Sequence, residues 1–89
     1  MIVGATWMPT AYVFITTEPE SMPDVLKEVK AIKGVEEAEM VYGVYDIAAK
    51  VKTETMDQLK QIISFNIRRL DNVSSTQTLL VVPQEYSVE

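Results

Sequence analysis

The stretch from Ala11 to Thr17 reads AYVFITT, a run of β-branched and aromatic residues closed by Glu18-Pro19, and both of its faces are apolar. Side chains alternate along a strand, so Ala11, Val13 and Ile15 fall on one side and Tyr12 and Phe14 on the other. A layer of helices covers one such face; the second needs a cover of its own. The last apolar run repeats the demand, with Leu79 and Val81 opposing Leu80 and Val82. Sheet-on-sheet pairing with a second copy satisfies both strands, and Tyr12, Phe14, Leu79 and Val81 are the residues expected at that dimer interface.

Chain length points the same way. At 89 residues there is room for one small domain, and a chain of this size buries only about 60% of the surface its unfolded form exposes. Small domains are commonly stapled by disulfides or metals, but the sequence contains neither Cys nor His. Thiolate nucleophiles, imidazole bases and zinc-finger ligand sets go with them. The missing staple is expected to be another subunit.

The rest of the chain supplies the partners of the first strand. Ser21 and Asp24 resemble a capping box, and Val25, Leu26, Val29 and Ile32 recur at helical spacing up to Gly34, a left-handed C-cap. Val35 to Tyr42 alternates as a second strand, with Ala38, Met40 and Tyr42 on one face. Gly43-Val44 suits a two-residue type II′ turn into a third strand carrying Tyr45, Ile47, Ala49 and Val51. Thr55 and Gln58 form a second capping box, ahead of an apolar stripe of Leu59, Ile62, Ile63, Ile67 and Leu70 that ends near Arg68-Arg69. Val73 to Val82 is the last strand, stopped by Pro83. The order βαββαβ is that of the ferredoxin-like α+β fold: a four-stranded antiparallel sheet, two helices on one face, strands one and three central.

The formal net charge is −5, and only Arg68 and Arg69 are adjacent basic residues, so direct nucleic-acid binding is not expected. The apolar N-terminal stretch lacks a basic n-region, since no Lys or Arg precedes Lys27, and Pro9 and Thr residues interrupt it. No membrane association and a cytoplasmic location are the expectations. Glu36, Glu37 and Glu39 cluster near the second strand, but Lys50 and Lys52 on the neighbouring strand can pair with them, so they read as a solvated face and no metal site or cofactor is expected. Trp7 is expected to dock on the domain or on a neighbouring subunit.

Two features carry chemistry. Gly43-Val44-Tyr45-Asp46 combines a turn glycine, an aromatic and a carboxylate, although Gly and Asp also serve turns structurally. Thr76 and Thr78 place two hydroxyls on one face of the last strand. Together with AYVFITTEP, the helix ending in Gly34-Val35, and SSTQTLLVV, the Gly-x-Tyr-Asp hairpin resembles the effector-binding domain of Lrp/AsnC regulators, also called RAM. The resemblance spans roughly Ala11 to Val82, and Asn72 stands where such domains commonly have Gly. It divides the chain into an N-terminal extension over 1–10, a RAM-like effector-binding domain over 11–83 and a C-terminal tail over 84–89. The extension is too short for a helix-turn-helix, so the chain resembles a stand-alone RAM domain.

The resemblance implies dimers paired through their sheets, rings of such dimers, and an amino acid effector at the interface between dimers. Gly43, Tyr45 and Asp46 match the family's loop, Thr76 and Thr78 its last strand, and Met40, Val41 and Val44 would line a side-chain pocket. Asp46 would take the ammonium and the threonine hydroxyls the carboxylate. A full-length Lrp/AsnC regulator is a further implied partner. The expected role is a non-enzymatic effector-binding and oligomerisation module that modulates transcription. Two other classes stay open: a small dimeric ferredoxin-like enzyme of monooxygenase or isomerase type, using Asp, Glu, Lys or Tyr as acid-base groups, and a purely structural oligomer.

Overall fold

Periodicity two and periodicity 3.6 alternate along the chain, and the elements follow them. The computed structural model describes residues 8–82. Trp7, the expected stop at Pro83 and the C-terminal tail lie outside the described residues. Strand β1 is Thr10–Thr17; a 3-10 turn, Pro19–Ser21, leads into α1, Met22–Lys30; β2 is Val35–Met40, β3 Ile47–Lys52, α2 Met56–Gln61 and β4 Val73–Leu80. A π-helical segment, Ile62–Ile67, continues α2. The four strands form one antiparallel sheet in the order β2-β3-β1-β4, so β1 and β3 are central as the βαββαβ order requires.

One face of the sheet carries the core. Ala11, Val13 and Ile15 of β1, Ala38 of β2 and Ile47, Ala49 and Val51 of β3 pack with Val25 and Val29 of α1, Leu59 of α2 and Ile62 and Ile67 of the π segment. On the opposite face, Tyr12 lies across from Lys50 on one side and Leu79 on the other. Tyr12 is 42% exposed and Leu79 53%, so the second apolar face is present and, among the described residues, uncovered.

Several local expectations are corrected. Ser21 makes no capping bond: it ends the 3-10 turn in a right-handed helical conformation, and Pro23 in the first turn has no N–H to satisfy. The link between β2 and β3 is a six-residue loop, residues 41–46, in place of a two-residue turn at Gly43-Val44. Val41 N–H donates to the Asp46 carbonyl across its base at 2.9 Å, and Gly43 has φ +150°. The second helix is not α-helical throughout. The Arg68 N–H donates to the Ile63 carbonyl at 3.3 Å, five residues back, and the wider turn brings Ile62 and Ile67, also five apart, to the core together. Within the acidic cluster the expected pairing with a neighbouring lysine is present: Lys50 Nζ lies 3.7 Å from Glu36 Oε1, although Glu37 is its register partner. A bulge between Val35 and Glu37 makes Glu36 the extra residue.

Other devices match the sequence. Thr55 Oγ1 accepts from Gln58 N–H at 3.1 Å while Gln58 Oε1 accepts from Thr55 N–H at 3.3 Å, a complete capping box. Thr55→Ala is expected to destabilise the domain by about 1 kcal/mol, read as a lowered urea midpoint. Gly34 has φ +105°, and a Cβ there would stand 2.5 Å from Ile62 Cδ1. Gly34→Ala therefore combines a left-handed backbone penalty with overpacking and is expected to cost about 2–4 kcal/mol in the same titration. Asn72, at φ +71°, is the one non-glycine described in the left-handed region; Asn tolerates it, and its carbonyl accepts the Glu18 N–H at 3.0 Å.

Candidate functional site

The loop between β2 and β3 is pinned at one end and bare at the other. Asp46 holds it to β1 twice: its N–H donates to the Ile15 carbonyl at 2.9 Å, and its Oδ2 accepts from the Thr17 N–H at 2.9 Å. Beside it the Tyr45 ring packs on Phe14, centroids 5.4 Å apart and tilted by 36°, which puts Tyr45 on the uncovered side of the sheet. Beyond these anchors the chain turns outward. Tyr42 is fully exposed and Val44 is 85% exposed, with Met40 and Val41 half-exposed at the base. Among the described residues nothing lies within 4 Å of where a Gly43 Cβ would be, so Gly43 serves the backbone conformation and not a close contact.

Chemically this is a carboxylate with one oxygen committed to the backbone, set under a tip of apolar side chains. Asp46 Oδ1 makes no hydrogen bond among the described residues and is the oxygen available to a ligand cation. The structural role of Asp46 could not be read locally, because Thr17 is 29 positions away.

Thr76 and Thr78 lie elsewhere. They are register partners of Ile15 and Val13 on β4, on the helix-side face, with β1 between them and the hairpin. Two strand spacings, about 10 Å, separate β4 from β3, more than the span between the ammonium and carboxylate of one α-amino acid. A single chain thus brings Met40, Val41, Gly43, Val44, Tyr45 and Asp46 together and leaves the two threonines apart from them. Tyr12, Phe14, Leu79 and Val81 do share a face: Leu79 pairs with Tyr12, and Gln77 with Phe14, along β1 and β4. That face is divided, apolar along β1–β4 and charged along β2–β3, where Lys50 Nζ lies 6.0 Å from the Tyr12 ring centroid. Among the described residues no group of three carboxylates converges on a possible metal position.

Residues 10–87 match the family model of the Lrp/AsnC ligand binding domain. The chain belongs to the Lrp/AsnC family. Among its relatives, the proline dehydrogenase transcriptional activator of Rhizobium radiobacter is 30% identical over 66 residues, 74% of this chain and 42% of the activator. Homocitrate synthase of Sulfurisphaera tokodaii is 43% identical over 58 residues, 65% of this chain but 12% of the enzyme. This Lrp/AsnC domain therefore spans less than half of the length of either relative. Of solved structures, FFRP-DM1 superposes with a TM-score of 0.81 at 33% identity, covering 84% of this chain and 100% of that one. A feast or famine regulatory protein from M. tuberculosis, complexed with L-methionine, has the same fold, with a TM-score of 0.70 at 24% identity, covering 93% of this chain and 55% of that one.

Proposed function

We propose that this Lrp/AsnC domain binds an amino acid at the β2–β3 hairpin and couples that binding to assembly with further copies, modulating regulation. The observation that carries the reading is the pairing of a half-committed carboxylate, Asp46, with an exposed apolar tip, Tyr42 and Val44, at the rim of an uncovered sheet face. An ammonium fits Asp46 Oδ1, and an apolar side chain fits Met40, Val41 and Val44. The separation of Thr76 and Thr78 from the hairpin asks for a second subunit: the hydroxyls that take the ligand carboxylate come from a neighbouring copy. The L-methionine complex of the M. tuberculosis protein supports an amino acid of this kind. The assembly proposed is sheet-paired dimers and rings of dimers, or mixed assembly with a full-length regulator, and the exposed Tyr12 and Leu79 on the sheet support it.

The homocitrate synthase match favours a second reading, in which the same effector module serves a biosynthetic enzyme instead of a promoter. Both readings keep the effector site. A thermal melt against the twenty amino acids separates them from a structural oligomer. Ligand at 100 times its Kd stabilises by about 2.7 kcal/mol, and each kcal/mol moves the melting point of so small a domain by about 4–8 °C. At least one amino acid at millimolar concentration is expected to raise the melting point by that amount. No shift with any of them removes the sensor reading and leaves the structural oligomer.

A further inference from the structure

At the end of the sheet opposite the hairpin lies a cavity of about 710 Å³, within the usual range for small-ligand pockets. The length of β3, five residue rises or about 17 Å, separates it from Asp46. Its lining includes Glu54, just ahead of the N-cap of the second helix, and Asp57, Gln58 and Gln61 on that helix. Lys33 and Gly34, in the turn after α1, and Lys52, the last residue of β3, line it as well. The backbone holds these residues: Lys52 N–H donates to the Gly34 carbonyl at 2.8 Å, and Thr53 N–H to the Pro9 carbonyl at 3.0 Å.

The charges lining this cavity are balanced and unspent. Two lysines face two carboxylates, and among the described residues none of the four forms an ion pair. At the start of the helix Thr55 Oγ1 accepts the Gln58 N–H, and Gln58 Oε1 in turn accepts from the Glu54 and Thr55 N–H groups just ahead of it, which holds this part of the lining in place. A polyanion would meet Glu54 and Asp57, and a polycation would meet the lysines; a zwitterion finds in the lining charges opposite to both of its own. We propose that this cavity is a second small-molecule site, distinct from the hairpin, that takes a zwitterion of the amino-acid class with its carboxylate toward Lys33 and Lys52 and its ammonium toward Glu54 and Asp57.

Amide ¹H–¹⁵N spectra of the labelled full chain, titrated with each of the twenty free amino acids, test it. At least one is expected to move the Gly34, Thr53 and Gln58 signals saturably, while its N-acetyl amide, which lacks both charges, does not. Lys33→Ala and Asp57→Asn, both at exposed positions, are each expected to weaken this binding about tenfold and to leave any changes at Gly43 and Asp46 in place. The proposal is overturned if signals move only at the hairpin, if none moves at millimolar ligand, or if the blocked analogue binds as well as the free amino acid. Because the two sites report through different amides, loss of one reading leaves the other intact.

Discussion

Tyr12→Lys is expected to convert the sheet-paired dimer proposed here into a monomer near 10.0 kDa by light scattering at low micromolar concentration. Tyr12 sits in the middle of the uncovered face, between Lys50 on β3 and Leu79 on β4. A lysine there would place an unpaired charge in an apolar contact and a second cation beside Lys50, whose Nζ already lies 6.0 Å from the ring. Burial of such a charge costs several kcal/mol, and each 1.4 kcal/mol is a factor of ten in the dissociation constant, so about a hundredfold loosening or more follows. Tyr12→Phe keeps the ring and is expected to keep the dimer. A wild-type chain that is already monomeric would remove the sheet-pairing account.

Ile15→Ala should produce the largest loss of stability within the chain. Ile15 is wholly buried on the central strand, paired with Ile47 on one side and Thr76 on the other, and its side chain helps to join sheet to helices. Truncation of a buried isoleucine costs about 2–5 kcal/mol through lost transfer energy and the cavity left behind. The urea midpoint is expected to fall with little change in slope. Val44→Ala, at an 85% exposed position, is expected to leave the same midpoint almost unmoved and to act only on ligand binding. Equal losses at the two positions would contradict the division drawn here between core and site.

The order of elements was legible because each strand and helix announces its period, and the two-sided apolarity of AYVFITT survives in the structure as an uncovered Tyr12 and Leu79. Thr55 and Gln58 were legible as a cap because both bonds are local. What escaped the sequence depends on partners far along the chain or on the exact winding of a turn. An apolar stripe does not distinguish an α-helix from the π winding that brings Ile62 and Ile67 inward together. The Glu36–Lys50 pair depends on a bulge, and a bulge leaves no mark in an alternating pattern. In the candidate site, the residues contiguous in sequence, Met40 to Asp46, stay together, whereas Thr76 and Thr78 are placed by strand register on the far side of β1. The bond from Thr17 to Asp46 also changes what a mutation means: Asp46→Ala would free a backbone donor as well as remove a ligand group, so Asp46→Asn, which keeps an acceptor for Thr17 while losing the charge, is the cleaner probe.

Calorimetric titration of the wild-type chain and Asp46→Asn with the amino acid that most raises the melting point tests the effector site most directly. The account predicts saturable heat for the wild type, and for Asp46→Asn an affinity about tenfold or more weaker with an unchanged unliganded melting point. Equal affinity in the two proteins would contradict it.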